Sequence, residues 1–112
     1  MVLARAVGLF VFYAVWRVTG LRGAGLVLVR SLGSQDETTR TIAGILLVRA
    51  GKKSEPLLKE ALEKRENLPV VLTVIGSLGD SNLEPEVRQF SLDADPDVAK
   101  AARDALQLIN AQ

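Results

Sequence analysis

Apolar residues recur at helical spacing along most of the chain, and prolines and glycines punctuate the runs. Leu57, Leu58, Ala61 and Leu62 follow the i, i+1, i+4, i+5 pattern of one helical stripe, with Lys59, Glu60, Glu63 and Lys64 on the opposite face. Leu83, Val87 and Phe90 mark a second stripe, and Val98, Ala101, Ala102, Ala105, Leu106 and Ile109 a third. Glu60–Lys64 and Glu84–Arg88 stand four residues apart, the spacing of a favourable pair on a helix surface. Asp36, Ser54, Asn67, Ser81 or Asn82, and Asp95 each precede a periodic run and can cap it. Ser81 and Glu84 have capping-box spacing. Pro56, Pro69, Pro85 and Pro96 all fall in first turns, where a missing N–H costs least. Gly51 and Gly79 follow the ends of runs, as C-terminal caps do. Helices are therefore predicted over 37–50, 55–65, 68–78, 83–92 and 96–110, and no stretch has the sustained alternation of a strand. The helix over 68–78 is apolar almost all round apart from Thr73 and Ser77, which marks a helix buried on several sides.

The first thirty-five residues read differently. Asp36 is the first acidic residue, after Arg5, Arg17, Arg22 and Arg30. Ala6 to Trp16 is uninterrupted by charge, but as a helix it covers only roughly 16 Å, against about 30 Å of bilayer core. Extension to Met1 and Leu21 gives sufficient length, with the two arginines near the ends, where they can snorkel. Residues 1–20 are thus expected to form an apolar helix that contacts a membrane as an anchor. A cleaved signal peptide and a buried terminal helix that covers the rest are the alternatives. Leu9, Phe10, Phe12, Tyr13 and Trp16 are the candidates for facing a membrane or a partner. Residues 21–35 are expected to hold a turn at Gly20, Gly23 and Gly25 followed by a short apolar helix. Arg17, Arg22 and Arg30 favour a cytoplasmic repeat domain, with a wholly soluble cytoplasmic protein as the alternative.

The predicted helices repeat. Glu37–Gly51, Glu66–Asp80 and Pro96–Asn110 superpose at spacings of 29 and 30 residues, in the range of solenoid repeats. The patterns Asp36-x-x-x-Arg40-x-x-Ala43-x-x-x-Leu47-x-x-x-Gly51, Glu55-Pro56-Leu57-Leu58-x-x-Ala61-Leu62 and Asp95-Pro96-Asp97-Val98-x-x-x-Ala102-x-x-Ala105-Leu106 resemble the HEAT-like helical repeat family in its short bacterial form, over roughly residues 36–112. The middle repeat departs from it, since 67–79 lacks the arginine. The resemblance implies an all-α chain built as a short antiparallel helix-pair solenoid, preceded by the apolar N-terminal helix. It also implies a scaffold or adaptor that binds another protein, through second helices lining the concave side. On this chain those are 55–65 and 83–92, and Lys59, Glu63, Arg88 and Gln89 become the candidate contacts. A stack so short needs its end covered, by residues 1–20, a partner or self-association.

Composition narrows the chemistry. The 112 residues hold neither cysteine nor histidine, which excludes disulfides, thiolate nucleophiles, the usual structural zinc sites and imidazole acid–base catalysis. A net charge of +1 argues against a nucleic-acid partner, and Lys52-Lys53 and Lys64-Arg65 are too small as basic patches. Gly20-Leu-Arg-Gly23-Ala-Gly25 lacks the strand, lysine and hydroxyl of a phosphate loop. Asp93, Asp95 and Asp97 alternate like the start of a calcium loop but lack its glycine and distal glutamate. Glu60, Glu63, Glu66 and Glu84 sit among cations as a solvated surface. No catalytic, cofactor or metal residue is expected, and the function class is non-catalytic: a membrane-associated scaffold, or a structural subunit of a membrane complex. Short repeats of this type also resemble those of chromophore lyases, although this chain lacks the residues to hold a tetrapyrrole.

Overall fold

The computed structural model describes residues 2–20 and 22–111, with side chains from Val7 onward; Met1, Leu21, Gln112 and the Arg5 side chain lie outside the described residues. Among those described there is no strand. The α-helices are α1 (Val2–Thr19), α2 (Arg22–Ser31), α3 (Glu37–Ala50), α4 (Glu55–Glu63), α5 (Leu68–Leu78), α6 (Glu84–Phe90) and α7 (Pro96–Asn110). Short 3-10 turns at Gly51–Ser54 and Ser81–Leu83 lead into α4 and α6. The five helices expected after Asp36 all form, and their starts agree to within a residue. The chain divides into two compact units, Met1–Leu57 and Leu58–Gln112, with the division inside α4.

In unit 1, α1, α2 and α3 pack pairwise on one another. Leu28, Leu32, Leu46 and Leu47 are fully buried there, and Leu9 and Trp16 are 5% and 2% exposed. Asp36 caps α3 as expected. Its carboxylate accepts from the backbone N–H of Thr39 at 3.2 Å and from the Thr39 hydroxyl. The Arg40 guanidinium donates to the Ser34 carbonyl at 2.6 Å, tying α3 to the loop before it. Gly51 ends α3 at φ 62°, a conformation open to glycine because it has no Cβ, and its N–H donates to Val48.

In unit 2, α5 and α6 both pack on α7. Val71, Leu72 and Ile75 of α5, Ala102, Ala105 and Ile109 of α7 and Val87 of α6 are buried. Gly76 and Ala105 set the spacing between α5 and α7, since a Cβ on Gly76 would lie 2.8 Å from the Ala105 Cα. α5 is buried on several sides, as expected, with Thr73 and Ser77 left exposed. Asp95 caps α7 by accepting from the Asp97 N–H at 2.9 Å.

Several local expectations are corrected. Ser54 does not offer its oxygen to the N–H groups of α4. Its buried hydroxyl donates to the Leu47 carbonyl in the last turn of α3. Asn67 precedes α5 at φ 50° with no side-chain cap. Asp80, rather than Ser81 or Asn82, caps the turn before α6, accepting from Asn82 N–H at 2.9 Å. α4 stops at Glu63 because Arg65 is left-handed at φ 54°. Its N–H donates to Leu62 and that of Glu66 to Ala61, the paired bonds of a Schellman stop. Gly20 does turn the chain, at φ 74°, but Gly23 and Gly25 lie within α2. Among the described residues no helix is long and apolar enough to cross a membrane; the anchor expected over residues 1–20 includes Met1 and the Arg5 side chain, which lie outside those residues.

Candidate interaction surface

α1 is apolar over nearly its whole circumference, so two sides compete for the core. Residues seven apart share a side of a helix, because two turns take roughly seven residues. Leu9 and Trp16 are such a pair, and they take the inward side. Trp16 reaches it because α2 carries no side chain at Gly25: a Cβ there would come within 2.8 Å of the Trp16 ring and 2.6 Å of the Leu57 side chain. Val7, Val11, Ala14 and Val18, at spacings of four, three and four, form the opposite side and are exposed. Phe10 and Val15 flank that stripe and Phe12 lies further round. Val7, Phe10 and Val11 are just over half exposed, and Val18 is 85% exposed. Monomeric proteins seldom leave so much contiguous apolar surface bare without a use for it.

Among the described residues, shallow grooves border α1. One, of about 260 Å³, lies toward α3 and is lined by Phe10, Ile42, Ile45, Leu46 and Arg49. It adds the half-exposed Ile45 to the apolar surface. Another, of about 360 Å³, lies toward α2 and α3 and includes Leu9, Phe12, Val27, Ser31 and Thr39.

Charge on this unit is one-sided. Residues 1–57 carry eight Lys and Arg against three Asp and Glu, whereas residues 58–112 carry six against ten. The cations gather where α1 and α3 end. Lys53 Nζ donates to the Arg17 carbonyl at 3.2 Å. The Arg17 guanidinium stands 6.0 Å from the centre of the Tyr13 ring, and Arg49 edges the apolar groove.

Of the residues expected to face a membrane or partner, Phe10 and Phe12 are exposed and Tyr13 is half-buried, while Leu9 and Trp16 turn inward. Val7, Val11, Val15, Val18 and Ile45 are the outward residues that the expectation missed. The 7, 11, 14, 18 spacing was available in the chain, but nothing in it says which of two apolar sides the core takes.

The second expected surface lies in unit 2. Lys59 and Glu63 on α4, and Arg88 and Gln89 on α6, are all exposed. Lys59 Nζ lies 3.7 Å from Glu86, which sets α4 beside the first turn of α6. Arg88 is engaged by Glu84 on its own helix. Of the aspartates that resembled a calcium loop, Asp93 and Asp95 are committed to the backbone, and Asp93 to a cation as well. Asp93 accepts from Arg65 at 2.9 Å and from the Asp95 N–H at 3.0 Å, so its carboxyl is held below the ordinary 3.8. Among the described residues no cluster of acidic side chains is placed to hold a metal ion.

The fold is all-α by its described residues, and the comparisons add no relative to it: no family model, no curated protein and no solved structure matches the chain.

Proposed function

We propose that this protein is a non-catalytic scaffold or adaptor, membrane-associated, which docks through the outward side of α1. One observation carries this reading: among its described side chains, α1 commits Leu9 and Trp16 to the core of unit 1 and leaves six large apolar side chains exposed. A helix that only completes the core would place polar residues on its outer side. The packing of α5 and α6 on α7 supports the HEAT-like helix-pair reading within unit 2, and the exposed Lys59, Glu63, Arg88 and Gln89 give that unit a polar surface for a second protein.

Deleting residues 1–20 is a poor test, because it also removes Trp16 from the core. The double variant V11E/V18E leaves the inward side intact. The measurement is partition of the purified protein into a detergent phase, with helicity and thermal midpoint recorded alongside. Wild-type protein is expected to enter the detergent phase and the variant to stay in water with the same helicity. Equal partition of the two would remove the outward side of α1 from the function.

A further inference from the structure

We infer that the outward side of α1 docks on an anionic lipid surface, with the helix lying in the plane of the interface and the cations Arg17, Arg49 and Lys53 meeting the headgroups. This inference rests on the proposal that α1 is a docking helix, and it names the occupant.

Charge complementarity selects the occupant. The exposed stripe Val7–Val11–Ala14–Val18, with Phe10 and Val15 beside it, offers apolar depth and no acidic group. Residues 1–35 contain no Asp or Glu, so no carboxylate on α1 or α2 opposes a lipid phosphate. Arg17 stands about a quarter turn from the middle of the stripe, the position from which a long side chain reaches headgroups while its helix sinks into the acyl boundary. Arg49 and Lys53 lie at the same end, against the groove and against the Arg17 carbonyl.

A second copy of the chain fits less well. An isologous contact sets a patch against itself, and in either helix direction the second copy's α1 and α2 offer Arg17 no carboxylate, since residues 1–35 contain no Asp or Glu. The length of α1 fits lying rather than crossing. Its 18 residues span about 27 Å, and Leu9 and Trp16 keep one side of it on α2 and α3.

Vesicle flotation tests the inference, with phosphatidylcholine alone and with phosphatidylglycerol added. Wild-type protein should float with the anionic vesicles, and raised salt should release it. V11E/V18E should lose flotation. R17Q/R49Q/K53Q should weaken it about a hundredfold, at roughly fivefold per cation near an anionic surface. K100Q/R103Q, which removes two exposed cations from unit 2, should float as wild type does.

Trp16 is the single tryptophan and is buried, so its emission should not move on binding. No flotation with anionic vesicles, while the detergent partition still depends on Val11 and Val18, overturns the lipid inference and leaves the docking helix to an acidic protein partner. Loss of both signals ends the docking reading as well. Equal flotation with both vesicle types, loss in K100Q/R103Q equal to that in the triple variant, or a shift of Trp16 emission would each overturn in-plane docking on anionic lipid.

Discussion

The Trp16 ring lies against the backbone of Gly25, where a Cβ would stand 2.8 Å from Cε2 and 2.9 Å from Nε1. This one relationship decides which side of α1 faces inward. Gly25→Ala adds the missing carbon against a ring that is 2% exposed and against the Leu57 side chain at 2.6 Å. Alanine gains roughly 1 kcal/mol of helix propensity over glycine, but overpacking costs about 1–3 kcal/mol. We expect a net loss, seen as a lower denaturation midpoint and a shift in Trp16 fluorescence. Gly23→Ala, in the same helix and with open space around it, should hold or raise the midpoint.

Gly76 makes the corresponding approach in unit 2. A Cβ there would lie 2.8 Å from the Ala105 Cα and 3.1 Å from its Cβ. Because the nearer atom is backbone, α5 and α7 must separate to admit it. Gly76→Ala is expected to destabilise by about 1–3 kcal/mol in chemical denaturation. Ala105→Gly should fail to rescue it, since removing that side chain leaves the nearer backbone atom still in the way.

Ser54 is a polar group in the core whose partner is known. Its hydroxyl is buried and donates to the Leu47 carbonyl. Ser54→Ala removes the donor and leaves a buried acceptor short of one bond, a loss of about 1–3 kcal/mol. Ser77→Ala, on the exposed strip of α5, should stay within about 0.5 kcal/mol of wild type. Parallel urea titrations measure the difference.

The Arg65–Asp93 pair sets a pH dependence. The Arg65 hydrogen bond, followed by the one from the Asp95 N–H, lowers the Asp93 pKa below its ordinary 3.8. A carboxyl with a lowered folded-state pKa favours folding above its unfolded value, and that contribution fades as pH falls through the folded value. Asp93→Asn is therefore expected to be less stable than wild type at neutral pH. The gap should close on acidification below 3.8. Thermal melts across an acid series check this, and a gap that widened in acid would contradict the pairing.

Much of the helical layout is legible residue by residue. Asp36 and Asp95 cap because a short carboxylate before an amphipathic run reaches the first free N–H groups. Gly51 and Gly79 stop helices because only glycine enters φ near 60–70° without strain. Arg65 does the same at φ 54°, and no local rule assigns an arginine that role, so the sequence pattern runs two residues past the end of α4. Ser54 has the position of a cap, yet a hydroxyl can donate as readily as accept. It finds the Leu47 carbonyl, a partner seven residues back.

Periodicity, capping and composition are local properties, and they carry the helical class, most element boundaries, the buried stripes of α4 and α7, the burial of α5 on several sides and the absence of thiol and imidazole chemistry. The orientation of α1 is not among them. A helix apolar on every side contains no information about which side it will bury. That choice comes from the space Gly25 leaves for Trp16, across a turn and in another helix, and so exists only once the helices have packed. By turning Leu9 and Trp16 inward it sets Val7, Val11 and Val18 outward, and so places the surface on which the proposed function rests.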